Sequence, residues 1–123
     1  MPTPLTAPVS CTVPYTKEGV TTDILTTLHN ISGGGISIVD EKKLLGTAIG
    51  QTYDNCKIIL PGSGLITVSL QVRNVLELTL TNGKSINRIG CEFINPSNGT
   101  LATVQKYITK IEREQNAKAT GLG

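Results

Sequence analysis

Apolar and polar residues alternate along most of this chain, and the period changes only once, near the C-terminal end. Between Leu65 and about Thr81, Ile66, Val68, Leu70 and Val72 alternate with Thr67, Ser69, Gln71 and Arg73. A period of two puts the first set on one face of a strand and the second on the other, so the stretch is predicted as a long strand with one buried face. Shorter runs carry the same signal. Val9 to Val13 has Cys11 on the face of Val9 and Val13, and Val20 to Leu28 is rich in Thr, whose branching at Cβ suits a pleated surface. A third strand contains Ile36 and Ile38, with Leu44 as a candidate continuation of that face. Lys57 to Leu60 reads as a short strand. Asn87 to Ile94 reads as the last, with Ile89, Cys91 and Phe93 set against Arg88, Gly90 and Glu92.

Turn chemistry separates these runs. Pro2, Pro4 and Pro8 make an extended lead-in that cannot be helical. Pro14 to Gly19 is predicted as a turn, Glu41 to Asp54 as irregular with breaks at Gly46 and Gly50, and Pro61-Gly62-Ser63-Gly64 as a turn. Asn82-Gly83 carries the type I′ hairpin signature, in which both central residues need positive φ. After Asn95-Pro96 the spacing becomes helical: Leu101, Val104, Ile108 and Ile111 recur at three and four residues, with Tyr107 beside them. Ser97 or Asn98 suits the start, Lys118 and Gly121 suit the end, and Glu112-Arg113-Glu114 falls on the solvated face. One helix over residues 98–118, roughly four to five turns, is expected.

The expected fold is mainly β. About six antiparallel strands between residues 9 and 95 close, at least in part, into a split β-barrel, followed by the C-terminal α-helix. The helix stripe must cover the barrel or meet a second copy of itself, so a homodimer through this helix is one expectation.

Composition removes several classes of function. The net charge is only +2, without a Lys/Arg run, which argues against binding DNA by counterion release. One Phe, three Tyr and no Trp leave little to stack on single-stranded bases. No apolar run approaches the roughly 20 residues of a membrane-spanning helix, and Met1-Pro2-Thr3-Pro4-Leu5 lacks the features of a signal peptide, so membrane insertion is not expected and the cytoplasm is the default location. Cys11, Cys56 and Cys91 form no close pair, which favours buried free thiols over a metal site. His29 is the single histidine, no nucleophile–base or phosphate-loop motif occurs, and an enzyme is not expected.

What remains is the connection Asn30-Ile31-Ser32-Gly33-Gly34-Gly35. Glycine accepts positive φ and lets another molecule approach the main chain, while Asn and Ser supply a carbonyl, an amide and a hydroxyl. On spacing alone two readings stand: a backbone ledge shaped for a ligand, or a hairpin loop generous in glycine.

Asn30 to Gly35 resembles the Asp/Asn-x-Ser-x-x-Gly motif of PilZ domains, bacterial receptors for cyclic di-GMP. Cys56 to Gly62 before the long strand and Arg88-Ile89-Gly90-Cys91-Glu92-Phe93 at its return agree in order, and Tyr107 to Gln115 resembles the closing helix of the flagellar-brake branch. The resemblance covers nearly the whole chain and implies a non-catalytic receptor that uses no cofactor and binds cyclic di-GMP as ligand. Asn30 would face a guanine edge, Ser32 would bond to base or phosphate, and Gly33, Gly34 and Gly35 would bring backbone amides to the nucleotide. Arg88 is a supplementary candidate, with a solvent-facing strand arginine as the plainer alternative. The family also carries Arg-x-x-x-Arg just before the first strand, whereas no arginine precedes Arg73 here. The expectation is that these residues are the C-terminal domain of a longer protein, without that arginine segment and without an N-terminal β-domain. Losing two charge-assisted contacts worth about 1.5–3 kcal/mol each implies weak nucleotide binding or none. The alternative is a nucleotide-independent interaction domain. The branch implies flagellar motor partners, stator or rotor switch, and a place at the bacterial basal body.

Overall fold

The computed structural model describes residues 3–4, 8–46 and 48–119. Pro2 of the lead-in and Gly121 of the expected helix end lie outside the described residues. Seven strands and one helix follow in order: β1 (Thr3–Pro4), β2 (Ser10–Lys17), β3 (Val20–Ile31), β4 (Gly35–Asp40), β5 (Thr52–Leu60), β6 (Gly64–Thr79), β7 (Ser85–Ile94) and α1 (Asn98–Ala119). All pairings are antiparallel. The strands run β1-β3-β2-β5-β6-β7-β4, and β4 pairs again with β3, which closes β2 to β7 into a six-stranded barrel. The two-residue β1 sits outside that ring, pairing Thr3 with Ile31 and Pro4 with Asn30.

The inward-facing residues form one cluster that includes Cys11, Val13, Ile38, Ile58, Leu70, Val72 and Ile89. Helix α1 lies against β6 and β1. Val104, Tyr107, Ile108 and Ile111 are buried in the same core, so the barrel itself covers the stripe; Leu101, 37% exposed, is its wet end. The helix has 22 residues, about six turns rather than four to five. Ser97 caps it: the Thr100 amide donates to Ser97 Oγ at 3.1 Å and the Leu101 amide to the Ser97 carbonyl at 3.0 Å. Ser97→Ala should lower stability by about 1 kcal/mol, read as a lower urea midpoint, while Asn98→Ala leaves the midpoint in place.

Four expectations need correction. Pro14 belongs to β2, not to a turn. Beyond Thr12 only β3 flanks this strand, so a missing N–H costs nothing on the open edge. The type I′ geometry sits at Glu18-Gly19, with φ of 53° and 78°, and not at Asn82-Gly83. There only Gly83 has positive φ; its amide donates to Leu80 O, and the Lys84 amide donates to Asn82 Oδ1, which makes a type I turn followed by a left-handed glycine. The short strand at Lys57 begins at Thr52, because a bulge between Tyr53 and Cys56, with Asn55 at φ 59°, shifts the alternation that sequence reading relies on. Leu44 does not continue the face of β4. The buried Asp40 carboxylate accepts from the Leu44 and Leu45 amides at 3.1 and 2.8 Å, and the loop so formed turns Leu45 inward and leaves Leu44 out.

Candidate functional site

Two bulges, one on each side of the β7–β4 pair, shape the outer surface of the barrel. In β3 the register with β4 slips between Leu28 and Asn30, so His29 is the extra residue. In β6 the register with β7 slips between Val72 and Asn74, so Arg73 is the extra residue. Bulges bend a strand and re-aim its side chains. Between them the pairings Asn74 with Gly90, Gly90 with Ser37, and Ser37 with Asn30 draw one row across four strands. The next row pairs Gln71 with Glu92 and Glu92 with Gly35.

The middle of this surface is low because glycine occupies it. A Cβ on Gly35 would lie 2.0 Å from the Cys91 carbonyl oxygen, and one on Gly90 would lie 2.5 Å from Asn74 Oδ1. The result is an open cleft of about 210 Å³ lined by Asn30, Ser32, Gly34, Gly35, Ser37, Arg73, Asn74, Gly90 and Glu92. The connection above it is pinned by backbone bonds: the Ser32 amide donates to Gly35 O and the Phe93 amide to Gly34 O, each at 2.9 Å. Ser32 Oγ also donates to Gly35 O, at 3.3 Å. Gly33 and Gly34 stand clear, since a Cβ on either would meet nothing within 4 Å. None of Gly33, Gly34 and Gly35 has positive φ. Their value is close approach, between strands at Gly35 and from solvent at Gly33 and Gly34.

Asn30, Ser32, Gly34 and Gly35 therefore come together on one cleft, with Asn30 and Ser32 half-buried on the same side. Gly33 is at the loop's open face and does not line it. Arg88 is on the outer face of β7 but does not line the cleft either; its guanidinium is 3.2 Å from His29 Nε2. Sequence reading missed Ser37, Arg73, Asn74, Gly90 and Glu92. The signal for the β6 bulge was present: after Val72 the alternation calls for an apolar residue at 74, but Asn74 stands there and the apolar phase resumes at Val75. The Arg73 guanidinium pairs with the Glu92 carboxylate across the cleft rim.

A larger groove, about 720 Å³, runs between the β5–β6 turn and the solvent face of α1, lined by Gly62, Ser63, Gln105, Thr109 and the side chains of Lys106, Lys110 and Arg113 among others. It carries an amide, hydroxyls and a glycine of its own, but the Asn30–Gly35 connection lies on the barrel cleft and not here. Among the described residues no group of three or more His, Cys, Asp or Glu is placed to hold a metal ion. The three cysteines are free and buried.

A family model described as the PilZ domain matches residues 5–110. The chain belongs to the PilZ domain family. It is 89% identical over 123 residues to the flagellar brake protein YcgR of Janthinobacterium sp. (strain Marseille), covering 100% of this chain and 49% of that protein. It is 38% identical over 120 residues to YcgR of Azoarcus sp. (strain BH72), covering 97% and 46%. This PilZ chain thus spans about half the length of the curated relatives it matches. Among solved structures, apo MrkH of K. pneumonia superposes with a TM-score of 0.84 at 23% identity, over 96% of this chain and 52% of that one. The PilZ domain of YcgR from Escherichia coli, solved with c-di-GMP, superposes with a TM-score of 0.75 at 19% identity, over 97% and 92%. At these identities the superpositions establish the PilZ fold, the closed antiparallel barrel with its C-terminal helix.

Proposed function

We propose that this PilZ domain is a non-catalytic cyclic di-GMP receptor module of a flagellar-brake protein, and that the Asn30–Gly35 ledge takes one guanine of the nucleotide. The observation that carries the reading is the cleft itself. It brings the Asn30 amide, the Ser32 hydroxyl and the bare backbone of Gly34 and Gly35 onto one open surface. The Asn30 carbonyl suits a guanine N–H edge, though as a weaker acceptor than a carboxylate. About 210 Å³ is below the usual range of a site that encloses a whole ligand, which fits one base seated on the barrel with the rest of the dinucleotide outside it.

The pairing of Pro4 with Asn30 supports the reading from the other side. β1 itself lies beside the cleft residue Asn30, so an Arg-x-x-x-Arg segment ahead of β1 would start within reach of a bound nucleotide. These 123 residues hold no arginine before Arg73, so on their own they should bind weakly. Ordering of such a segment over the barrel gives the ligand two arrangements to choose between, which is what a switch requires. In the longer protein the module would act on flagellar motor components, stator or rotor switch, from the cytoplasm. Among the described residues no helix is long and apolar enough to cross a membrane. Burial of the helix stripe on the barrel leaves Leu101 as the one exposed large apolar side chain among the described residues of the helix, little to favour pairing of two helices.

Titration of the ¹⁵N-labelled chain with cyclic di-GMP tests this. Amide shifts should concentrate at residues 30–37 and 90–92. Asn30→Ala and Ser32→Ala should each weaken binding roughly tenfold without moving the thermal midpoint. Shifts confined to the groove along α1, or binding that ignores both substitutions, would remove the proposal.

A further inference from the structure

We infer that Arg73 is a phosphate-binding residue of this same cleft, held on Glu92 when no ligand is bound and transferred to a phosphodiester oxygen of the nucleotide when it arrives. The inference rests on the cyclic di-GMP reading and extends it to a residue outside the Asn30–Gly35 connection. Arg73 is the unpaired residue of the β6 bulge, between Val72 opposite Cys91 and Asn74 opposite Gly90. A regular strand would use this position for a ladder pair. The bulge instead directs it to the cleft rim, and bulges of this kind recur where a side chain has to be re-aimed.

The ion pair it makes is easily exchanged. The Arg73 and Glu92 side chains are 54% and 46% exposed, and a pair this wet contributes little to stability, so opening it costs little. Both residues line the cleft together with Asn30 and Ser32. A planar guanidinium presents a fork of donors that a phosphodiester can accept from two oxygens, as the single Glu92 oxygen does not. Asn74, folded over Gly90 on the cleft floor, supplies a neutral amide beside it. Glu92 consequently acts as a built-in competitor: it keeps the guanidinium oriented in the free protein and must give it up on binding.

The exchange makes a prediction that a merely structural ion pair does not. Arg73→Ala should weaken cyclic di-GMP binding roughly tenfold or more and flatten its dependence on salt. Glu92→Gln keeps the size of the side chain, removes the competing charge and should tighten binding severalfold. That gain should vanish when Arg73→Ala is also present, because there is then no guanidinium to release. All three variants and the parent chain are titrated with cyclic di-GMP at two salt concentrations, following the amides of residues 30–37 and checking the fold of each free protein from its spectrum. Parental binding by Arg73→Ala, or tightening by Glu92→Gln that survives in the double variant, overturns the role of Arg73 and leaves the ledge reading standing. A parent chain that shows no response to cyclic di-GMP even with an Arg-x-x-x-Arg segment restored ahead of β1 overturns the ledge reading and this inference with it.

Discussion

Gly35→Ala should cost the barrel about 3 kcal/mol or more, the upper range for overpacking a closed interior. The added methyl would lie 2.0 Å from the Cys91 carbonyl oxygen, a direct clash, and tightly against Cys91 C and Glu92 Cα at 3.0 and 3.1 Å. All three neighbours are backbone atoms of β7, so no side chain can swing away. Relief requires β4 and β7 to separate where Gly35 pairs with Glu92 and Ile36 with Cys91. That movement also strips the bond from the Phe93 amide to Gly34 O. Gly90→Ala is the control. Its methyl would meet Asn74 Oδ1 at 2.5 Å, Nδ2 at 2.8 Å and Cγ at 2.9 Å, all belonging to one exposed side chain that can rotate. Urea unfolding followed by circular dichroism should show a large drop in midpoint for Gly35→Ala and a small one for Gly90→Ala, with the cleft altered in both. A parental midpoint for Gly35→Ala would mean that the two strands are not packed as described.

The same two glycines mark the limit of what the chain reveals before it is folded. Strands were legible wherever one face is core and the other wet, as from Ile66 to Val72, and the helix was legible from Val104, Ile108 and Ile111. Boundaries failed where a bulge shifts the phase: Tyr53 and Cys56 are both buried but three residues apart, and Val72 is followed by Val75. Pro14 misled because its tolerance depends on which neighbour β5 does or does not provide, a tertiary fact. Within the candidate site, Asn30, Ser32 and the glycines are contiguous in sequence and could be read as a motif. Ser37, Arg73, Asn74 and Glu92 reach the cleft only through register across β3, β4, β7 and β6, which no local pattern encodes. Gly90 looked like a gap in an alternating strand; its meaning, room for Asn74, is likewise a matter of pairing.

Alkaline pH should unfold this domain well before tyrosine or lysine titration alone would suggest. Cys11, Cys56 and Cys91 are almost wholly withdrawn from water inside the barrel. Burial disfavours the thiolate and pushes Cys11 and Cys91 up to about 12, with the thiol of Cys56 raised as well. In the unfolded chain the same groups ionise near 9. Above that pH the unfolded state releases protons that the native state retains, so the native state binds more protons and stability falls as pH rises. Each thiol contributes a slope of about 1.4 kcal/mol per pH unit, and three acting together give about 4 kcal/mol per unit between pH 9 and 12. Over the two units from pH 9 to 11 that is about 8 kcal/mol, a large share of a typical domain stability of about 5–15 kcal/mol. Buried Tyr53, also raised to about 12 chiefly by desolvation, adds to the slope above pH 10. Denaturant midpoints taken from pH 8 to 11 should decline steeply after pH 9. Cys91→Ala should start from a lower midpoint yet fall about one third less steeply, because one of three linked protons is gone. A flat profile to pH 11, or an unchanged slope in Cys91→Ala, would place the thiols in contact with water in the native barrel.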